Sequence, residues 1–302
     1  MQDDEALSQV AAHLLLLDPH GSLTGHVLRD TFDQIYDGQR TGRYSIDRLA
    51  KTERTHFGSL VEINLQRRFQ YDDGDDLDFG IAGHDVDAKY SMTFGRWMIP
   101  VEAQGKLCML IHADDYRSRW SLGVIRADLN ILTKPNRDQK RNIKSAFLER
   151  GKWLFRDAPL PVNTLLSLPE ADRLAIEAQP PGKHRVAELM RRAEGRVVNR
   201  ASIEATAQQR DSMKRVRANG GALDLLTSEG FLLLSGTRLA AQRIAYELGL
   251  PHPPPGGFVP VKVAAASLGC TEPTATVRGV VIKRWRPGDE PLDTGPLVSL
   301  AD

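Results

Sequence analysis

The stretch "HDVDAKYS", residues 84–91, sets two aspartates and a lysine at alternating positions of a short, otherwise apolar run. In a strand, residues i and i+2 face the same way, so Asp85, Asp87 and Lys89 share one side. Charges taken into a core are costly unless they are paired or bind something. Asp78 lies nine residues before Asp87, and the intervening "GIAGH" can turn one strand into the next. Glu62 lies sixteen residues before Asp78, inside "SLVEINLQRRFQ", which reads as a helix. Three carboxylates and a lysine are therefore expected to converge. Carboxylate oxygens are the ligands that Mg²⁺ prefers. On Asp78 and Asp87 such an ion would polarise a phosphodiester and lower the pKa of a bound water. Lys89 would hold that water or offset charge developing on the phosphate. Glu62 would complete the outer ligands or anchor a second ion. The bland alternative is a solvated strand edge carrying an ion pair. The D-x-K spacing favours Asp87 over Asp85, which keeps no assigned role.

Working outward, the preceding third of the chain reads as helices. "ALSQVAAHLLLL" is one; Thr24 is placed to cap "GHVLRDTFDQIYDG", and Ser45 to cap the region that leads into Glu62. Short runs follow, "LDFGIA", "HDVDAKYS", "RWMIPVEA", "KLCMLIHAD" and "RWSLGVIRAD", separated by Gly, Asp and Arg as strands are. "RDQKRNIKSAFLERG" reads as a closing helix. The spacing thus predicts a mixed central sheet flanked by helices over residues 1–156. Five prolines between Asp157 and Gly182 mark an interdomain connection, with the linker placed at 157–164.

A second module is expected over 165–302. Helix "HRVAELMRRAEG", a short extended "VVN", two short helices "ASIEATAQ" and "RDSMKRVRANGG", and an apparent hairpin follow in the order of a winged helix-turn-helix. "VPVKVAAA" and "VRGVVIKRW" read as strands. Residues 183–217 hold ten Lys/Arg against four Asp/Glu, whereas 72–78 hold five aspartates, although the whole chain carries a net charge of only +1. Separated blocks of this kind suit a cation site in one place and an anion partner in another.

Two basic patches are candidates for contact with DNA. In "TKPNRDQKRNIK", Asn136, Arg137, Asp138 and Lys140 can reach base edges or phosphates; Arg suits guanine and Asp accepts from cytosine, so the loop fits a G·C site. In the second, with Asp211 to Ala218 as recognition helix, Gln209 and Arg210 sit near its N-terminal end and Lys214, Arg215 and Arg217 lie farther along, towards phosphates. A solvated basic helix is the alternative in each case. "IYDGQR", residues 35–40, fits the K-x-D-G-x-R of nucleotidyl-transferring ligases except that Ile35 stands at the lysine. Isoleucine cannot form a phosphoramide, which excludes that chemistry. What remains is a helix stop at Asp37–Gly38 or a phosphate-contacting loop near the active site, using Arg40 and Arg43.

Glu62, Asp78, Asp87 and Lys89 resemble the PD-(D/E)xK nuclease motif with an added helical glutamate; Leu77 stands where the proline of that name would be. With "QIYDGQRTGRY" and the basic C-terminal module, the chain more closely resembles the NaeI family of type IIE restriction endonucleases over nearly its whole length. The resemblance implies an N-terminal endonuclease domain and a helix-turn-helix effector-DNA-binding domain. It also implies a homodimer that uses Mg²⁺, cuts both strands of a GC-rich palindrome and needs a second DNA copy as effector.

Composition sets the remaining bounds. Hydrophobic residues at 41% and charged residues at 26% describe a soluble globular protein. No apolar run is long enough to span a bilayer, the acidic N-terminus does not read as a targeting peptide, and two distant cysteines fit a reduced cytoplasm. The eight histidines show no ligand spacing. Two other readings stand beside the restriction enzyme. One is a DNA-binding regulator with a nuclease-like scaffold, which has no reason to keep a costly charge cluster. The other is a repair endonuclease that nicks.

Overall fold

The structure, a computed structural model, describes residues 4–267 and 269–298. Helices form where side chains satisfy their free N–H groups. α1 (Glu5–Leu17) is capped by Asp4, whose side chain accepts from Leu7 N at 3.0 Å. α2 (Ser22–Tyr36) is fixed by Asp18, whose Oδ2 accepts from both N and Oγ1 of Thr24 at 2.8 Å, so Thr24 lies inside the helix rather than capping it. One helical turn, α3 (Gly38–Thr41), follows. Ser45 opens only a 3₁₀ turn, Ile46–Arg48; α4 (Lys51–Phe69) begins after it, with the Glu53 carboxylate accepting from Ala50 N at 2.8 Å. α4 buries Phe57, Val61 and Leu65, four residues apart, and leaves Ile63 exposed, as a 3.6-residue period requires.

The strands are β1 (Asp72–Asp73), β2 (Phe79–Ile81), β3 (His84–Ser91), β4 (Met98–Ile99), β5 (Leu107–Asp114), β6 (Arg119–Arg126), β7 (Arg141–Asn142) and β8 (Lys152–Pro159). Six of them form one mixed sheet in the order β1-β2-β3-β5-β6-β8, in which β3 and β5 are parallel and every other pair is antiparallel. β8 continues through Asp157, Ala158 and Pro159, residues that the prolines had marked as the start of a linker.

The register sorts β3 into two faces. Ala88 and Tyr90 lie beside Met109 and Ile111, and the Tyr90 ring meets Phe57 of α4 at 4.8 Å. Asp87 and Lys89 lie beside Cys108 and Leu110 on the other face, which packs on Trp97, Ile99, Ala103, Ile131, Leu132 and Ile143. The catalytic candidates on β3 therefore enter the layer opposite the Phe57 contact.

The helix expected over "RDQKRNIKSAFLERG" does not form. Asn136 Oδ1 accepts from the N–H groups of Asp138 and Lys140 at 3.0 and 2.9 Å, closing a turn. Ile143 then bridges Leu132, and β7 pairs with β4. Local side-chain bonding and burial of Ile143 override the helical composition. Only a 3₁₀ segment, Ser145–Arg150, remains.

The chain divides into two compact units, Met1–Ile35 with Ser45–Val162, and Tyr36–Tyr44 with Asn163–Asp302. The second contains α5 (Thr164–Ser167), α6 (Glu170–Glu177), α7 (Lys183–Arg192), α8 (Arg200–Ala207), α9 (Leu223–Leu226), β9 (Phe231–Ser235), α10 (Leu239–Glu247), β10 (Phe258–Ala265), the hairpin β11 (Thr274–Val277) and β12 (Val280–Arg284), and α11 (Gly295–Val298). Val186, Leu189, Met190, Ile203, Val216 and Leu226 share one core, and the antiparallel sheet β11-β12-β10-β9 packs on α10 in another. The strand-turn-strand expected towards the end of residues 221–236 is instead α9 and a single strand, β9.

The recognition helix expected over Asp211 to Ala218 shrinks to one 3₁₀ turn, Ser212–Arg215. The Asn219–Gly220 reversal turns the chain back, so Ala222 N bonds Arg215 O at 2.6 Å and Leu223 N bonds Val216 O at 3.1 Å. The carbonyls that a longer helix would use are thereby occupied. Among the described residues, no helix is long and apolar enough to cross a membrane.

One buried ion cluster ties α2 to the end of β5. Both terminal guanidinium nitrogens of Arg29 reach the Asp115 carboxylate, and Nη2 also meets Asp33 Oδ1 at 2.9 Å. Arg29 and Asp115 are almost fully buried. Removing one partner of such a pair leaves an uncompensated charge, so Arg29→Met is expected to cost about 3–5 kcal/mol in urea unfolding. Burial pushes Asp33 up to about 6; Arg29 opposes this and the Asp115 charge adds to it. A carboxyl whose folded pKa is raised stabilises the fold at low pH and loses that contribution as pH rises through the folded value. Between about pH 4 and 6 the natural chain should therefore lose about 1–2 kcal/mol relative to Asp33→Asn, a figure discounted for the 23% exposure of the side chain. Parallel pH profiles for the two proteins would count against this assignment.

Candidate active site

The β2–β3 turn at Ala82–Gly83, both with positive φ, folds Phe79 against Val86 and so brings Asp78, one residue earlier, to Asp87. Asp78 Oδ2 accepts from Ala88 N at 2.8 Å, which pins its carboxylate to the backbone of β3. Lys89 folds back over the same place. Its Nζ lies 2.9 Å from Asp87 Oδ1, 2.8 Å from Ala88 O and 3.5 Å from Asp78 Oδ2. Three oxygens thus surround one cation. Two were legible in the sequence; the Ala88 carbonyl was not, because backbone groups carry no residue signal.

The site is short of positive charge. Burial pushes Glu62 up to about 7, and the Asp78 and Asp87 charges raise it further against the pull of Lys89. Burial also pushes Asp87 up to about 6, against the charge and hydrogen bond of Lys89. Burial opposes the charge on Lys89, but Asp87 first, then Asp78 and Glu62, raise its pKa overall and keep it protonated. Two carboxylates on one ammonium, with the Glu62 charge also acting on it, leave excess negative charge in a desolvated place. Moreover, Asp87 Oδ2 is buried and has no hydrogen-bond partner among the described residues. A polar atom left bare in this way calls for a ligand.

Among the described residues, no three His, Cys, Asp or Glu side chains are grouped so as to hold a metal ion, so Glu62 does not join Asp78 and Asp87 as the sequence led one to expect. An open site is compatible with this, since Mg²⁺ keeps several waters and takes one or two carboxylates. The residues present, Asp78, Asp87 and the Ala88 carbonyl, therefore fit a hard divalent cation. Cys108, beside Asp87 in the sheet, is buried and its thiol is pushed far up by that burial, so it is inert packing.

Of the remaining candidates, Asn136, Arg137, Asp138 and Lys140 form the exposed tip of the arm that ends in the Leu132–Ile143 bridge. Asn136 spends its side-chain oxygen on the turn, whereas the side chains of Arg137 and Lys140 stand free of the turn's bonding. Arg40 and Arg43 belong to the second unit. There, Gln39 Nε2 donates to Gln209 O at 2.9 Å and Arg210 O at 3.0 Å. A Cβ on Gly38 would come within 2.6 Å of Ala205 Cβ, so glycine is what lets the loop seat on α8. "DGQRTGR" and "QQR", 170 residues apart, are thus one surface, which no spacing rule could have shown. Arg40 and Arg210 are exposed on it; Arg43 donates to Tyr36 O and is half-buried. Lys214 pairs with Asp211 at 3.1 Å, Arg217 is exposed, and Arg215 is half-buried.

Comparison with known proteins bears on this geometry. A family model described as "Restriction endonuclease NaeI" matches residues 8–293. The chain is 43% identical over 307 residues to the type II restriction enzyme NaeI of Lentzea aerocolonigenes, covering 98% of this chain and 95% of that protein. The match runs through both units, so neither the acid–lysine site nor the basic second unit is a local likeness. The chain belongs to the NaeI restriction endonuclease family and is accordingly an enzyme that cuts DNA at specific sites.

Proposed function

We propose that the chain is a Mg²⁺-dependent type IIE restriction endonuclease. It hydrolyses both strands of double-stranded DNA at a GC-rich palindrome and is activated by a second DNA copy. One observation carries this reading above all: Asp87, Ala88 and Asp78 present three oxygens around the Lys89 ammonium while Asp87 Oδ2 stays bare. Glu62, Asp78, Asp87 and Lys89 are the catalytic residues. Asp78 and Asp87 would hold the ion with the Ala88 carbonyl, and Glu62 would serve its outer ligands. When bound, the ion supplies Lewis-acid stabilisation of phosphate charge and a more acidic water.

The residues' own work follows from their positions. Lys89, kept protonated, donates towards the attacking water or a non-bridging phosphate oxygen, where negative charge grows in the transition state. Its two carboxylate contacts and the Ala88 carbonyl aim it, which limits the reorganisation needed at the moment of reaction. Glu62, balanced near neutrality, can take up a proton from the water network.

The two basic surfaces divide between the two DNA copies. Arg137 and Lys140, with Asn136 and Asp138 shaping the tip, meet the DNA to be cut from residues 1–156. Beyond β8, the unit that begins at Asn163 forms the effector domain, joined by the loop 36–44. It is a winged helix-turn-helix in which the 3₁₀ turn Ser212–Arg215, following α7 and α8, stands at the place of the recognition helix. Gln209, Arg210, Lys214, Arg215 and Arg217 contact effector DNA, together with Arg40 and Arg43. A palindromic site implies a homodimer with matching symmetry. The cysteines, Cys108 and Cys270, are free, in keeping with a reducing cytoplasm.

Incubating the protein with supercoiled plasmid and Mg²⁺ should yield discrete linear fragments, and sequencing their ends gives the site. Nicked circles alone would favour the repair-nuclease reading, and binding without cutting the regulator. Lys89→Ala should abolish cutting while DNA affinity stays near parental; equal cutting by that variant overturns the site assignment. Arg210→Ala should lower the slope of log affinity for effector DNA against log salt by about 0.9, the loss of one phosphate contact, measured by fluorescence anisotropy. An unchanged slope removes Arg210 from the interface.

A further inference from the structure

Asp85 has no place in the proposed chemistry, yet its carboxylate is fully engaged. Oδ1 accepts from Asp75 N at 2.9 Å and Oδ2 from Asp76 N at 3.0 Å. Both donors belong to "GDDLD", residues 74–78, the loop that leaves β1 and ends on Asp78. A Cβ on Gly74 would come within 2.4 Å of both Asp85 Oδ1 and Leu77 O, so the loop backbone closes directly on the carboxylate.

An acid is an odd choice beside Asp72, Asp73, Asp75 and Asp76, because like charges repel. Its two oxygens each meeting a separate backbone N–H explains the choice: no neutral side chain of that length offers two acceptor oxygens. The loop is consequently held at both ends by β3. Asp85 takes its start, and Ala88 N takes Asp78 at its finish.

We propose that Asp85 is a positioning residue. It holds residues 74–76 so that Asp78 Oδ2 stands against Ala88 and Lys89. This rests on the reading of Asp78 as a catalytic carboxylate. Asp85 itself touches neither the Lys89 ammonium nor the bare oxygen of Asp87.

The test compares full-length Asp85→Ala, Asp85→Asn and Asp78→Asn with the natural protein. Cleavage of plasmid DNA with Mg²⁺ gives kcat and KM; hydrogen exchange of residues 74–78 is followed in the metal-free protein. Asp85→Ala should lower kcat about 10- to 100-fold with KM unchanged, the scale expected of a group displaced by about 1 Å. Asp85→Asn, which keeps one acceptor oxygen, should recover part of that loss. The Asp75 and Asp76 amides should exchange faster in both variants. Parental kcat in Asp85→Ala beside a dead Asp78→Asn overturns the positioning role alone. Full cutting by Asp78→Asn overturns the reading of Asp78, and this proposal with it. Loss confined to KM, unchanged exchange, or Asp85→Asn as impaired as Asp85→Ala also overturns it. Should Asp85→Ala fail to fold, Asp85→Asn decides: lowered kcat at parental KM upholds the role, and parental kcat overturns it.

Discussion

The Lys89 ammonium and the oxygens around it are the constraint from which the rest of the catalytic unit follows. Lys89 is drawn into a half-buried place by Asp87, Asp78 and the Ala88 carbonyl. Without that positive charge, Asp87 and Asp78 would repel each other across a strand pair with little water to screen them. Even with it, Glu62 and Asp87 are held well above ordinary carboxylate values. The surrounding fold therefore has to pay for a cluster that would rather come apart. A mixed sheet suits this need, because β3 is hydrogen-bonded on both sides, by β2 and by β5, and cannot drift to relieve the repulsion.

The same register explains why the site faces one way. Side chains alternate along β3, so a slip of one residue would send Asp87 and Lys89 to the Phe57 face and Ala88 to the other. Packing forbids the slip. Val86 and Ala88 are fully buried, and Tyr90 meets Phe57 edge-on. The apolar residues of "HDVDAKYS" thus fix the geometry of its charged ones. Arg29 acts at longer range, tying α2 to Asp115 just beyond β5 and so bracing the strand that is parallel to β3.

What the sequence disclosed, and what it withheld, divides along physical lines. Alternation and turn residues located β2, β3, β5 and β6, and the nine-residue spacing anticipated that Asp78 meets Asp87 and Lys89. Those are short-range signals that the backbone enforces. Composition misjudged residues 137–151 and 211–218, where Asn136 and the Asn219–Gly220 reversal claim hydrogen bonds that a helix needs. The Ala88 carbonyl, the double acceptance by Asp85 and the Gln39 bridge were invisible for another reason. Each depends on backbone atoms of residues whose side chains say nothing about them.

The Gln39 bridge changes how the ligase-like "IYDGQR" is to be understood. Its resemblance invited a role beside the reacting phosphate, and Asp37 at φ +48 marks a true break after α2. Yet the glycines of the loop are shaped by what they touch in the second unit, Ala205 for Gly38 and Gln208 for Gly42. A Cβ on Gly38 would collide with Ala205, and the Gln39 amide would then lose the carbonyls of Gln209 and Arg210, whereas at Gly42 it is the positive φ that favours glycine. The pattern Asp-Gly-Gln-Arg is therefore accounted for by packing at Gly38, a backbone bridge at Gln39 and an exposed charge at Arg40, whose side chain pairs with Asp37. None of these requires the lysine that Ile35 replaces, and Ile35 is itself a buried apolar residue at the end of α2. A motif shared in letters with an adenylating enzyme is here the means by which an early segment of the chain becomes part of a late one.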